Sequence, residues 1–229
     1  MSTEIKYWHL RNHKLFSVLN NTQIEELCII MKYKTALRNE IIYFSDEVEK
    51  RIYILKKGTV KIVEMGENGN EIIKEILQAG DLFGEISLDP GIGNPEYAQA
   101  LSKEVFICSF TMDSFEKVLE LHPSVALKYT KLVGFRFKRL KNSYSNLVFK
   151  DVKTRLKEFL MEWANKEGQR IGLGIAVENY LTHQDIASLI CATRQTVTQL
   201  LNELVQERKI VYSRKEIIVM DGMFSENSH

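Results

Sequence analysis

Two hydrophobic periods divide the chain. From Arg51 to Phe110 apolar and polar residues alternate with a period near two, interrupted at short intervals by turn residues. Ile52 and Ile54 precede Lys57-Gly58, Val60, Ile62 and Met65 follow, and Gly66-Glu67-Asn68-Gly69-Asn70 is a hairpin signal ahead of Ile72 to Leu77. The turn Ala79-Gly80-Asp81 leads into Leu82-Phe83-Gly84-Glu85-Ile86. A loop from Asp89 to Pro95 then holds two of the three prolines, and Val105 to Phe110 reads as a last strand. Short strands at even spacing predict a small antiparallel sandwich or jelly roll.

Beyond Met112 the period becomes helical. His122-Pro123 predicts a helix start, since Pro is accommodated in a first turn, and only Gly134 interrupts the pattern before Asp151. Ala126, Val133, Leu140 and Leu147 recur every seven residues, with Thr130, Phe137 and Tyr144 four residues after the first three. That is a narrow seam of the coiled-coil kind, which needs a partner. A two-fold contact through Ala126, Val133, Phe137, Leu140, Tyr144 and Leu147 is expected, against the alternative that the stripe packs on its own domain. The domains implied are 1–121, a β-roll; 122–149, a dimerisation helix; and 150–229.

The densest local signal lies at 182–205. Thr182-His183-Gln184-Asp185 is a capping box that opens a short helix. Cys191-Ala192-Thr193 makes a tight connection, with Thr193 placed to cap a second helix. Val197, Leu200, Leu201, Leu204 and Val205 predict its buried face. On the opposite flank Gln195, Gln199, Asn202 and Gln206 align, all of them amides, where a solvated surface would normally mix Glu and Lys. Each amide offers a donor and an acceptor able to pair with adenine N6 and N7 in a major groove. Thr193, Arg194, Thr196 and Thr198 stand where phosphate oxygens could be reached. Lys209 to Tyr212, a turn at Ser213 to Glu216, and Ile217 to Met220 predict a hairpin, so the whole reads as a winged helix-turn-helix.

Composition narrows the choice without making it. The 229 residues carry 31 Lys+Arg against 30 Asp+Glu, so bulk charge argues neither for nor against nucleic acid. From Leu121 to Lys150 there are basic residues and no acidic one, a stripe that either faces an anion or is simply solvated. No window is long and apolar enough for a membrane span, and no secretory pattern opens the chain, so a cytoplasmic protein is expected. Cys28, Cys108 and Cys191 are too widely spaced for an iron–sulfur motif and read as buried reduced thiols. A metal enzyme on the roll is disfavoured, because no histidine lies between His13 and His122. No cofactor is expected.

In this order, a small β domain, a long helix and a winged helix-turn-helix resemble the cyclic-AMP receptor/fumarate-nitrate regulator (CRP/FNR) family of bacterial transcription factors. The resemblance rests on Gly80-Asp81-Leu82-Phe83-Gly84-Glu85-Ile86, on Asn146 to Val152 at the hinge, and on Thr182 to Leu204. It implies an α+β chain acting as a homodimer on pseudo-palindromic duplex DNA, with RNA polymerase as a further partner and a small-molecule effector. The DNA contacts it implies are Thr182, His183, Gln184, Thr193, Arg194, Gln195, Thr196, Thr198, Gln199 and Asn202. The effector pocket would take in Gly84, Glu85, Ile86, Glu96, Tyr97, Leu140 and Lys141.

The departures bear on the effector. Where cyclic-nucleotide-binding members carry an Arg-Ser-Ala segment for the phosphate, this chain has Asn94-Pro95-Glu96-Tyr97-Ala98, and no arginine lies between Arg51 and Arg136. An uncompensated carboxylate there would oppose a phosphate by roughly 1–4 kcal/mol. Cyclic AMP is therefore not the expected effector. Gly84-Glu85 is either a binding element or a strand-end turn in which Gly permits a positive φ. The family's common Arg-Glu pair appears as Arg194-Gln195, and Gln199 replaces a frequent arginine, which predicts half-sites leaning toward A·T. The remaining alternative is a dimeric sensor that regulates a protein partner without touching DNA.

Overall fold

The computed structural model describes residues 7, 10–44, 49–66, 69–84 and 95–225. The chain separates into two compact units, Met1–Lys138 and Arg139–His229. The boundary therefore falls within the long helix, where the sequence placed boundaries at both of its ends. Val125, Tyr129 and Leu132 account for this, because they anchor the helix's first turns in the core of the first unit.

In that unit, helix α1 (Asn21–Ile30) is followed by strands β1 (Lys32–Leu37), β2 (Ile41–Phe44), β3 (Arg51–Lys57), β4 (Val60–Met65), β5 (Glu71–Leu77), β6 (Leu82–Gly84), β7 (Glu96–Ala100) and β8 (Glu104–Thr111). Two four-stranded antiparallel sheets result, in the orders β1-β8-β3-β6 and β2-β7-β4-β5. The apolar run Ile52-Tyr53-Ile54-Leu55 is continuous because β3 is covered on both faces. Tyr53 and Leu55 join Val105 and Ile107 between the sheets, while Ile52 and Ile54 join Cys108 and Phe110 in a second core. That second core takes in Leu10, Phe16, Ile24 and Leu27, together with Phe115 and Val118 of α2 (Met112–Leu121). The roll is as expected, although β1, β2 and β7 escaped the pattern. Lys32 to Leu37 is mostly exposed, and Ile41-Ile42-Tyr43-Phe44 is an unalternated apolar run.

Helix α3 (Pro123–Phe149) runs 27 residues. Along it Val133, Phe137, Leu140, Tyr144 and Leu147 are exposed, and Ala126 is half-buried.

The second unit contains α4 (Val152–Glu167), β9 (Gln169–Ile171), β10 (Gly174–Glu178), α5 (His183–Leu189), α6 (Arg194–Gln206), β11 (Ile210–Tyr212), β12 (Glu216–Met220) and α7 (Asp221–Ser225). Its sheet has the order β11-β12-β10-β9, so the expected two-stranded wing is half of a four-stranded sheet. Gly168, Gly172 and Gly174 had broken the periodicity there. Among the described residues no helix is long and apolar enough to cross a membrane.

Candidate nucleic-acid interface and effector region

The reading helix is built by local capping and fixed by one arginine. Thr182 Oγ1 accepts from the Asp185 backbone N–H at 3.1 Å, and Asp185 Oδ2 accepts from the Thr182 N–H at 2.8 Å, completing the box that starts α5. The chain then turns through Cys191 at φ +52°, a left-handed conformation uncommon for a residue with a Cβ. Arg155 of α4 holds that turn. Its Nε donates to the Ile190 carbonyl at 3.0 Å, its Nη2 to Cys191 O at 3.2 Å and its Nη1 to Lys150 O at 2.6 Å, covering carbonyls that a helix end leaves without partners. Cys191 itself is exposed, against the expectation of three buried thiols, and Cys28 and Cys108 are buried. Thr193 Oγ1 accepts from the Thr196 N–H at 3.1 Å, which starts α6.

Helix α6 buries Val197, Leu200, Leu201 and Leu204. Val205, assigned to the same face, is 41% exposed. Gln195, Gln199, Asn202 and Gln206 are all exposed, as are Thr182, Gln184, Thr193 and Arg194. Arg194, Gln195, Gln199, Asn202 and Gln206 line one open groove with Thr198 and Glu203. Thr196 is half-buried, its hydroxyl 2.8 Å from that of Thr193, so both serve the cap.

His183 and Thr198 are both half-buried and bonded within the unit, and Thr198 also lines the groove of the amide row. Thr198 spends its one hydroxyl proton on the Arg194 carbonyl at 2.9 Å, so it must accept from His183 Nδ1–H at 2.8 Å. His183 Nε2 then accepts from the Tyr212 hydroxyl at 3.0 Å. Burial first, and the Arg194 charge second, lower the His183 pKa, which favours the neutral ring. Tyr212 and Arg155 were invisible to sequence reasoning because their partners lie 29 and 35 residues away.

Profiles of two families match the chain: a cyclic nucleotide-binding domain over residues 33–122 and a Crp-like helix-turn-helix domain over residues 154–222. The global nitrogen regulator of Synechocystis sp. PCC 6803 is 31% identical over 183 residues, covering 80% of this chain and 81% of its own. That of Nostoc sp. PCC 7120 is 30% identical over 187 residues, covering 81% and 84%. The chain belongs to the CRP/FNR family of transcription regulators. A CRP-like cAMP-activated global transcriptional regulator of Mycobacterium tuberculosis is also similar, 28% identical over 81% of this chain and 82% of its own. The CRP/FNR fold is matched by a CooA mutant from Carboxydothermus hydrogenoformans, with TM-score 0.74 and 24% identity over 94% of this chain and 95% of that one. Like its relatives, this CRP/FNR member is a DNA-binding transcription regulator, and α6 is the element of its helix-turn-helix that carries the exposed amides.

In the CRP/FNR roll, Gly84 sits at φ +108°, and a Cβ there would lie 2.2 Å from the Arg51 carbonyl oxygen. Packing alone therefore demands glycine. Glu85 and Ile86, the next expected effector residues, lie outside the described residues. Leu140 and Lys141 belong to the second unit and are exposed. Glu96 is not uncompensated, which corrects the sequence argument. Its Oε1 accepts from the Tyr43 hydroxyl at 3.1 Å, and its Oε2 lies 3.3 Å from Lys74 Nζ. Lys74 is also 3.0 Å from Glu64, the residue directly opposite Glu96 in the β4–β7 register. One ammonium is thus shared by two carboxylates, and the chain of contacts crosses β2, β7, β4 and β5. Tyr43 is stacked on Tyr53 (5.1 Å), which is stacked on Phe83 (5.1 Å), and all three rings are buried. Tyr97 points elsewhere: its hydroxyl donates to Glu71 at 2.8 Å, and burial, then Glu71, push its pKa up to about 12.

Among these described residues Lys74 is engaged twice, and Glu64, Glu96 and Lys74 together sum to a negative charge.

Proposed function

We propose that this regulator acts as a homodimer, cytoplasmic and without a resident cofactor, and that its roll answers an effector other than a cyclic nucleotide or none at all. Dimerisation is supported by the exposed heptad positions Val133, Phe137, Leu140, Tyr144 and Leu147. Two copies would present two α6 helices to successive major grooves, about 34 Å apart, and so read a pseudo-palindrome. The exposed row Gln195, Gln199, Asn202 and Gln206 carries the reading that half-sites lean toward A·T. RNA polymerase is the partner such an arrangement would recruit or exclude. The tuberculosis relative is named as cAMP-activated. The Tyr43-Glu96-Lys74-Glu64 chain is the observation against the same effector here.

The test is selection of duplexes from a random library by the full-length protein, followed by titration of the recovered duplex between 50 and 200 mM salt. A·T-leaning half-sites separated by one helical turn, with affinity falling steeply as salt rises, are expected. Recovery of G·C-rich half-sites would contradict the amide reading. Millimolar cyclic AMP or cyclic GMP should leave both the affinity and the thermal midpoint unmoved, and a rise in either would overturn the effector reading.

A further inference from the structure

Within the amide row, Gln199 has an internal partner for its side-chain nitrogen. Its Nε2 donates to Glu203 Oε1 at 3.0 Å, one helical turn further along α6. Glu203 is in turn held from outside the helix: Lys153 of α4 donates to its other oxygen at 3.3 Å and to Glu207 at 2.7 Å. Hydrogen bonds to Glu207 first and Glu203 second raise the Lys153 pKa, so the ammonium stays charged. A carboxylate can only accept, so this contact settles which end of the Gln199 amide is nitrogen. One N–H is spent on Glu203. The carbonyl oxygen and the second N–H are left, which is the donor–acceptor pair an adenine edge requires.

We infer that Glu203, anchored by Lys153, is a positioning residue that pre-orients the Gln199 amide for base reading. The inference rests on the reading that Gln199 contacts a base, and deepens it. A free glutamine loses its rotamer entropy on docking, whereas one already tethered has lost part of it in the free protein, so the tether favours the base that fits the held orientation. The same pair of contacts places Lys153 between the carboxylates of Glu203 and Glu207, and Lys209 meets Glu207 at 3.2 Å, so these carboxylates carry counter-charges beside a helix bound for phosphates. No pattern in the sequence shows this, because Lys153 and Glu203 are 50 residues apart.

The test uses full-length protein, the duplex recovered by library selection, and all single-base-pair variants of one half-site, with affinities read by fluorescence anisotropy. Gln199→Ala should abolish discrimination at one base pair. Glu203→Ala should weaken discrimination at that same pair by about 2- to 12-fold, the cost of immobilising one long side chain, and leave the other positions within about twofold. Glu203→Gln keeps a carbonyl that can accept the Gln199 N–H and should restore the preference. In the double variant Gln199→Ala/Glu203→Ala the loss should match that of Gln199→Ala alone. Lys153→Met, which frees Glu203 without touching α6, should reproduce part of the Glu203→Ala effect and also weaken binding to every sequence. If Gln199→Ala discriminates as wild type does, Gln199 reads no base and the positioning role falls with it. If Gln199→Ala loses discrimination while Glu203→Ala, folded by its thermal melt, keeps it, the positioning role alone is overturned.

Discussion

The polar side chains of the roll and those of the reading helix are satisfied in opposite ways. In the second sheet of the roll, Tyr43, Glu96, Lys74 and Glu64 bond to one another across four strands. On α6, Gln195, Asn202 and Gln206 stand exposed in a row. A polar group in water keeps most of its bonding energy, so an exposed amide costs little, whereas one inside a roll must find its partner there. The difference marks where a further molecule can be recognised. The roll has supplied its own counter-charges around Glu96, and the helix has left donors and acceptors available.

Breaking the closed region should cost stability and leave base preference alone; altering the open one should do the reverse. The largest effect is expected from Gly84→Ala, which meets the Arg51 carbonyl at 2.2 Å in a conformation costly for any side chain. A loss of about 3–4 kcal/mol in denaturant unfolding of the roll should follow. Acid should act nearly as strongly through His13. Its Nδ1 accepts from the Leu15 N–H at 3.2 Å and its Nε2 donates to the Gly80 carbonyl at 3.0 Å, so the ring is held neutral. Burial, with Lys56 nearby, lowers its pKa from 6.5 to about 4. The folded state resists the proton while the unfolded chain takes it, so stability is complete above pH 6.5 and is lost as pH falls from there toward 4. At about 1.4 kcal/mol per pH unit the gap amounts to roughly 3 kcal/mol. Melts recorded from pH 7 to 4 should show that slope, and His13→Ala, though less stable at pH 7, should flatten it.

Gln195→Ala sharpens the contrast from the other side. Unfolding should be unchanged, and discrimination at one base pair should fall by about 1–3 kcal/mol in duplex titrations. The smallest effect belongs to Lys74→Met, which leaves Glu64 and Glu96 facing each other. Because the three side chains are partly exposed, the cost at pH 7 should be only about 0.5–1 kcal/mol. It should shrink as added salt screens the two carboxylates, and a cost that grows with salt would refute the like-charge account.

What the sequence made legible follows the same division. Capping residues, helix period and the amide row all sit within one stretch, Thr182 to Gln206, where spacing translates directly into a shared face. The roll's network joins residues 43, 64, 74 and 96, which only the pairing of β2, β7, β4 and β5 brings together. Glu96 was noticed as a misplaced charge, but its counter-ion could not be, since nothing local relates it to Lys74. The contact of His183 with Tyr212 escaped sequence reading for a similar reason: Tyr212 belongs to a strand beyond the helix.

That last contact sets how the wing behaves. His183 Nδ1 lies 2.8 Å from Thr198 Oγ1 and its Nε2 3.0 Å from the Tyr212 hydroxyl, so side-chain contacts tie β11 to both helices of the reading head. The wing and the reading helix are thus tied by side-chain contacts, and Arg214 and Lys215 stand exposed at the hairpin's tip.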